Sequence, residues 1–326
     1  MAVTEPTTNS DPVNIYQTIT ALKIERLKFT SAQQAPNTSA GYRYDQAAFR
    51  AWGLQVGLET LAASPDTLGL YVTSMLVRGL KIATCARRVA AIARWHLDTG
   101  HPSPATDEIR SLLNGARRLR TEQVDRVLPL ALEEMRAISV VLLEDDTPIG
   151  IRNWAIMLTG FEGALRNSMT AALRFPDDVE FSEKGAILQI RREKTDQLGK
   201  GRKIGLHHAK HPELCAVVAL RKWIARRGNF PGPLFTRFDG THQKERALLP
   251  ERIGQIVQQN IRRIGLDSRL YGGHSLRAGF VTLAGEHGAS ELLIAATTGH
   301  KDLSTLRIYF RRRDAFAGNP LGAVDL

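Results

Sequence analysis

Cysteine is scarce in this chain, and long apolar runs are missing from it. The two cysteines, Cys85 and Cys215, lie far apart among alanine, valine and arginine. This spacing indicates neither a disulfide framework nor a zinc knuckle, so both are expected to be small buried residues. No stretch approaches the ~20 apolar residues of a membrane span, and the amino terminus lacks the basic-then-apolar pattern of a signal peptide. We therefore expect a cytoplasmic protein.

Three histidines form the most concentrated set of metal-binding side chains. They are His207, His208 and His211. Their spacing provides no suitable cysteine or acidic fourth ligand, which favours a solvated loop over a zinc site. The sequence thus indicates no metal site at these histidines.

Basic residues outnumber acidic ones. Lys and Arg total 44 against 33 Asp and Glu, which gives a formal net charge of +11. A basic protein gains affinity for nucleic acid by displacing counterions from phosphates. The same charge would suit an RNA-binding, ribosomal or membrane-surface protein, so charge alone does not select the partner. The length of 326 residues with 43% hydrophobic side chains allows two globular domains, each with its own core.

The amino-terminal part has the pattern of a helical bundle. Residues 1–14 are rich in polar side chains and are expected to form a disordered arm. Apolar residues recur at helical spacing through residues 15–120, a domain in which we expect helices over residues 45–61, 66–78 and 82–98. The stripe then lapses over residues 121–128, which have the character of an interdomain linker.

The carboxyl-terminal part, residues 129–326, combines helices with a small antiparallel sheet. The sheet is expected over residues 179–206, with strands at 186–190 and 202–206 joined by a glycine-containing loop. Apolar spacing predicts helices over residues 132–143, 152–165, 213–227, 250–264 and 275–287. The overall expectation is a mainly α chain of two domains, of which the second is mixed α+β.

An ordered set of polar side chains runs through this second part. Arg166 follows a predicted helix, Lys194 lies in the loop between two strands, and the other members are His274, Arg277, His300 and Tyr309. Taken singly, each residue is more often a solvated charge or a core side chain. Their order, the His-x-x-Arg spacing and the interval of nine residues from His300 to Tyr309 together favour a functional set.

These residue types suit chemistry on a phosphodiester. Charge accumulates on the non-bridging oxygens as an alcohol attacks phosphorus, so positioned cations stabilise the transition state. Arg166 and Arg277 are candidates for a bidentate phosphate clamp. The phenol of Tyr309, with a reference pKa of about 10, needs a base or nearby cations to become a nucleophile, and His274 is suited to that role. A helix that begins near His274 would add backbone N–H groups that favour an anion.

The set resembles that of the tyrosine recombinase (phage integrase) family. The resemblance implies that Tyr309 attacks DNA to form a 3′-phosphotyrosyl link, with Lys194 as the general acid for the leaving oxygen. It implies His274 as general acid/base and His300 as the residue that binds the phosphate and positions the tyrosine. It also implies a helical core-binding domain followed by the integrase catalytic fold, with no metal, ATP or other cofactor.

The resemblance extends to partners. It implies a double-stranded DNA recombination site, a homotetramer assembled on DNA from a protein that is a monomer in solution, and possible accessory DNA-bending proteins. Integration, excision and resolution remain open as the biological task, and the protein would associate with the nucleoid. Basic residues expected to contact DNA phosphates, with solvated helix faces as the alternative, are Arg87, Arg88, Arg117, Arg118, Lys200 and Lys203.

The chain departs from the family pattern at two positions, of which the first keeps an alternative open. Met169 stands where an acidic residue usually supports the clamp, and Thr298 stands where leucine is more usual. The methionine gives weight to a catalytically impaired, recombinase-derived DNA-binding protein. A type IB topoisomerase shares the same chemistry, although the His-x-x-Arg spacing and the domain order favour a recombinase. The tail over residues 311–326 is expected either to dock on a neighbouring protomer or to fray.

Overall fold

The chain divides into two units at Val124. The computed structural model describes residues 12–31, 36–120, 127–191, 201–300, 302 and 303. One unit spans Met1–Val124 and the other Asp125–Leu326. Among the described helices, none has both the length and the apolar character needed to cross a bilayer.

Helices are the regular secondary structure in the described part of the first unit, and loops connect them. They are α1 (Pro12–Ser31), α2 (Pro36–Val56), α3 (Pro65–Val77), α4 (Ile82–Asp98) and α5 (Asp107–Leu119). Because α1 begins at Pro12, residues 12–14 are helical, and their assignment to a disordered arm was wrong. Helix α2 starts earlier than expected and ends at Val56, since Gly57 adopts a left-handed φ of 68° that stops the helix.

Aromatic side chains fill the core of this unit. Phe49 is fully buried, and its ring centroid lies 4.8 Å from that of Tyr71 and 5.9 Å from that of Trp52. Leu68 and Ile92 are also fully buried. This core holds α2, α3 and α4 together as a bundle.

The second unit is built around one buried helix. Its helices are α6 (Leu132–Asp145), α7 (Pro148–Glu162), α8 (Asn167–Ala172), α9 (Ala216–Arg227), α10 (Pro250–Arg263), α11 (Gly273–Glu286) and α12 (Glu291–Thr298). Residues 150–161 of α7 are all buried. Helices α6, α9 and α11 pack against it, so α7 forms the axis on which the site residues are arranged.

Short antiparallel strands complete this unit. They are β1 (Arg174–Phe175), β2 (Val179–Ser182), β3 (Gly185–Ile190), β4 (Arg202–His207), β5 (Gly232–Pro233), β6 (Thr236–Asp239) and β7 (His242–Ala247). The order β2-β3-β4 forms the sheet expected from the sequence, and β1 pairs with β5 and β6 with β7. Leu188 faces Ile204 across the β3–β4 pair, and both are buried. The predicted fold class, mainly α with a small antiparallel sheet, is confirmed.

Several helix bounds differ from the sequence expectation for local reasons. Helix α7 starts four residues earlier, because the Thr147 hydroxyl accepts a hydrogen bond from the Gly150 N–H at 3.0 Å and Pro148 opens the first turn. It ends at Glu162 rather than residue 165, since Ala164 has a φ of 47°. Helix α9 starts at Ala216, because residues 212–214 form a separate 3₁₀ turn.

Candidate active site

Arg166 is placed by the abrupt end of α7. The left-handed turn at Ala164 redirects the chain, and Leu165, which is 1% exposed, anchors the turn in the core. Arg166 then becomes the residue that precedes α8, with its side chain half-buried. Its Nη1 lies 4.0 Å from the Sδ of Met169. The methionine that replaces the usual acidic residue therefore contacts the arginine as a neutral, polarisable group.

Helix α11 carries His274 and Arg277 and packs tightly against the start of α8. A Cβ atom on Gly273 would lie 1.9 Å from Oδ1 of Asn167 and 2.2 Å from its Nδ2. Only glycine therefore allows this approach without rearrangement. The close packing brings the amino-terminal turn of α11 next to the residue that follows Arg166.

Arg277 joins three parts of the unit. Its side chain is 1% exposed, and its Nη1 donates a hydrogen bond to the carbonyl of Ala164 at 2.8 Å. Its Nη2 lies 3.3 Å from Nδ1 and 3.1 Å from Nε2 of His300. A single guanidinium thus links α11, the turn that positions Arg166 and the segment after α12.

His300 is held by the end of α12 and by Thr298. Gly299 adopts a left-handed φ of 71°, and the His300 N–H returns to the Ala295 carbonyl at 3.1 Å, which ends the helix. The Thr298 hydroxyl, fully buried, lies 2.7 Å from both the Ile294 carbonyl and His300 Nδ1. The hydroxyl has one hydrogen, which goes to the carbonyl, so it accepts from Nδ1–H. This tautomer leaves Nε2 able to accept from Arg277.

The electrostatics of the two histidines link them to both arginines. The pKa of His300 is lowered to about 4, mainly by burial, with smaller contributions from Arg277, Arg166, His274 and Arg202. Burial also lowers the pKa of His274, again helped by Arg277 and Arg166. Both rings are therefore neutral near pH 7, whereas the guanidiniums stay charged. The cluster has a net positive charge suited to an anion, with neutral rings able to accept a proton.

Arg202 is a site residue that the sequence analysis missed. It begins β4, and its Nη1 donates to the Thr297 carbonyl and lies 3.4 Å from the Ala296 carbonyl. A cation at the last carbonyls of α12 is favoured by the helix dipole. This contact ties the sheet to the helix end that positions His300. The only signal in the sequence is a basic residue at the start of a predicted strand, which does not reveal its contact with α12.

Some of the sequence-predicted residues lie outside the described residues. These are Lys194, Lys200, Tyr309 and the tail over residues 311–326. Of the six residues expected to act on the phosphate, the structure brings together Arg166, His274, Arg277 and His300.

Among the candidate DNA contacts, Arg88 is the most buried of those that the structure describes. Its side chain is 15% exposed, and its Nη1 donates to the Tyr71 hydroxyl at 2.9 Å while its Nε lies 3.5 Å from Asp45 Oδ1. These contacts inside the bundle give Arg88 a structural role, and its contact with a DNA phosphate stays a prediction. Arg87 also pairs with Asp45, at 2.5 Å, but is 47% exposed. The other described candidates, Arg117, Arg118 and Lys203, are exposed.

The three clustered histidines are exposed, and His207 is the last residue of β4 rather than part of a loop. Within the described ranges, no group of three His, Cys, Asp or Glu side chains is arranged to hold a metal ion. Cys85 and Cys215 are buried free thiols, as expected.

Comparison with known proteins identifies the family. Residues 118–315 match the phage integrase family. The chain is 30% identical over 308 residues to an integrase/recombinase XerD homolog of Selenomonas ruminantium, with 93% of this chain and 89% of that protein covered. It is 28% identical over 279 residues to the tyrosine recombinase XerC of Xylella fastidiosa, with 84% and 85% covered.

A solved structure shares the fold. The integrase of transposon Tn1549, solved in complex with transposon right end DNA, aligns with a TM-score of 0.64 at 11% identity, covering 92% of this chain and 96% of that one. The family match spans more than half of the chain, and the Selenomonas relative spans nearly all of it. The chain therefore belongs to the phage integrase family and is a tyrosine recombinase, an enzyme of site-specific DNA recombination.

Proposed function

We propose that Arg166 and Arg277 clamp the scissile phosphate of a double-stranded DNA recombination site, with His300 as a further ligand of that phosphate. In this proposal His274 is the general acid/base, Tyr309 is the nucleophile and Lys194 is the general acid. The observation that carries the proposal is the contact of Arg277 with both the Ala164 carbonyl and the His300 ring. Arg277 thereby contacts one residue 113 positions before it and another 23 positions after it along the chain.

The chemistry follows from the charge of the cluster. Tyr309 Oη attacks phosphorus while its proton passes to the neutral His274, and the bond from phosphorus to the 5′-oxygen breaks. Lys194 gives that oxygen a proton, which leaves a 3′-phosphotyrosyl ester and a free 5′-hydroxyl. The two guanidiniums stabilise the charge that develops on the non-bridging oxygens. Attack by a 5′-hydroxyl from the second duplex reverses these steps and reseals the strand without an external energy source.

Stoichiometry supports the proposed assembly. Exchange between two duplexes requires cleavage of four strands, and each protomer has one nucleophilic tyrosine. We therefore extend the proposal to a homotetramer on DNA, formed from monomers and aided by accessory DNA-bending proteins, in the nucleoid. A closed symmetric arrangement matches inverted repeats in the DNA site.

A nicked suicide duplex tests the assignment. The substrate would be built from inverted repeats found beside the gene, with the nick placed so that the cleaved fragment diffuses away and the covalent adduct accumulates. Wild-type protein should form an adduct, Tyr309→Phe should form none, and Arg277→Lys should react about 10³-fold more slowly. Arg226→Lys, which changes an exposed arginine on α9, serves as the charge-matched control. Persistence of the adduct in Tyr309→Phe would refute the nucleophile.

Met169 supports a second candidate, a DNA-binding protein with impaired cleavage. Its thioether contacts Arg166 where a carboxylate would fix the guanidinium by charge-assisted hydrogen bonds. This candidate predicts that wild-type protein binds the site without forming any adduct, and that Met169→Glu raises the cleavage rate. Adduct formation by the wild-type chain would exclude it.

A further inference from the structure

A second concentration of arginines lies at the opposite end of α7 from Arg166. Arg152, Arg237 and Arg252 line a cavity of about 460 Å³, together with Asn153 and Phe238. No Asp or Glu is among the described residues that line it. Ten residues of α7 separate Arg152 from Glu162, a rise of about 15 Å. The cavity is therefore distinct from the proposed catalytic cluster.

Arg152 is the fixed element of this cavity. It is 5% exposed, and its Nε and Nη2 donate to Asn153 Oδ1 at 3.2 and 2.8 Å, while its Nη1 donates to the Thr236 carbonyl at 2.9 Å. Its Cζ lies 5.0 Å from the centre of the Phe238 ring. A guanidinium has five N–H groups. Two of them thus lack a hydrogen-bond acceptor among the described residues.

The charge of Arg152 is surrounded by neutral partners and a second cation. The pKa of Arg152 is lowered to about 10, mainly by burial and to a smaller extent by the nearby charge of Arg252. Burying an arginine beside a second cation is unfavourable unless a counter-charge compensates it. Arg237 and Arg252 are exposed at the rim, where they could close over a bound anion. The first turns of α7 and α10 also border the cavity, and helix amino termini favour negative charge.

We infer that this cavity binds a phosphate group. Planar guanidiniums with paired N–H donors match the geometry of phosphate oxygens, and the volume exceeds that of one phosphate. The group could belong to a strand of bound DNA or to a small phosphate compound. Arg152 would provide the rigid inner contact and Arg252 and Arg237 the outer ones.

Inorganic phosphate is the probe for this site. Calorimetric titration would use the full chain carrying Arg166→Gln, so that binding at the catalytic cluster is weakened, and chloride at equal ionic strength as the reference. Adding Arg252→Gln or Arg237→Gln should weaken phosphate binding by about 10-fold, because a charge-assisted hydrogen bond is lost. Adding Arg226→Gln should leave it unchanged. Equal phosphate affinity in the Arg166→Gln protein and in the Arg252→Gln and Arg237→Gln variants built on it would overturn the site.

DNA binding then separates the two sources. In the otherwise wild-type chain, a strand phosphate in the cavity predicts that Arg252→Gln reduces the slope of log affinity against log salt by about 1, whereas Arg226→Gln does not. An unchanged slope, together with the loss of inorganic phosphate binding, assigns the cavity to a small phosphate compound. Neither measurement involves strand cleavage, so failure of the catalytic proposal would be seen separately in the adduct assay.

Discussion

Arginines withdrawn from solvent have different partners in the two units. In the first unit, Arg88 lies against the fully buried carboxylate of Asp45. In the second, the partners of Arg152 and Arg227 are backbone carbonyls, an amide and aromatic rings, and Glu162 accepts a backbone N–H from Ala216. Opposite charges cancel in the first case, whereas in the second the two arginines keep their charge among neutral dipoles.

This difference relates charge to function. A cation neutralised inside the bundle contributes to the fold but little to the field outside it. Arg152, whose hydrogen-bond partners are neutral dipoles, keeps its charge directed at the cavity that it lines, where a phosphate can supply the missing counter-charge. The second unit is where the motif residues converge, and its electrostatics agree with an anionic substrate. Substitutions that remove or create such charges should therefore behave differently in the two units.

The largest effect is expected for Arg88→Ala. Burial raises the pKa of Asp45, and Arg87 and Arg88 partly offset that rise. Removing Arg88 leaves the carboxylate with one exposed partner and breaks the hydrogen bond to Tyr71, which should lower the free energy of unfolding by about 3 kcal/mol. Urea denaturation measures this. Arg110→Ala breaks an ion pair with 72% and 89% exposed side chains and should cost less than about 0.5 kcal/mol. Equal effects in the two variants would contradict the compensating role of Arg88.

Whereas Arg88→Ala should destabilise the protein, Glu162→Gln should stabilise it at pH 8. Burial raises the pKa of Glu162 to about 8, with a smaller opposing effect from the Ala216 N–H. The folded protein therefore holds a proton that the unfolded chain releases near pH 4.5, so stability is complete below that pH and declines as pH rises towards 8. The Ala216 N–H donates to Glu162 Oε1 at 2.6 Å. Glutamine keeps an oxygen that can accept this bond, but it has no acidic proton to lose.

Chemical denaturation at pH 5 and pH 8 tests this variant. Glu162→Gln should be more stable than wild type at pH 8, by on the order of 1–3 kcal/mol, and nearly equal to it at pH 5. Glu144→Gln, on α6, is the control and should leave the pH dependence unchanged. The same pH dependence of stability in the wild-type and Glu162→Gln proteins would show that Glu162 is ionised in the folded protein.

Sequence patterns predicted local elements well where signals at both ends agreed. Helix α4 was expected over residues 82–98 and occupies Ile82–Asp98, bounded by Gly79 and Gly100, both with left-handed φ. The β6–β7 hairpin was missed although Asp239-Gly240 is a recognised turn pair, because the strand residues 242–247 are polar and show no apolar alternation. Helix α12 was also missed, since eight residues provide a short periodic pattern.

The candidate site was likewise predicted only in part. The motif selected Arg166, His274, Arg277 and His300, which the fold brings together. It could not indicate Arg202 or the cavity at Arg152, because these depend on contacts between segments about 80 to 95 residues apart. The ion pair of Arg88 with Asp45 could not be predicted either. The sequence places a charge on α4 but does not show that a carboxylate on α2 lies beside it.

Thr298 tests whether a neutral hydrogen-bond partner fixes the tautomer of His300 in the proposed site. Its hydroxyl fixes hydrogen on Nδ1 of His300 and so directs Nε2 at Arg277. Thr298→Val preserves the shape of the side chain but removes this acceptor, so the ring should populate both tautomers and cleavage should slow about 10-fold. Thr298→Ser keeps the hydroxyl and should restore the rate to near that of wild type.

Nitrogen-15 NMR of the His300 ring provides a readout separate from activity. At pH 7 the wild-type and serine proteins should show the Nδ1–H tautomer, and the valine protein a mixture. Because the pKa of His300 is lowered to about 4, the ring should be neutral in each of them, so a change in tautomer is not obscured by protonation. A single Nδ1–H tautomer in Thr298→Val would mean that Arg277 alone orients the histidine, and the role of the threonine would then be packing.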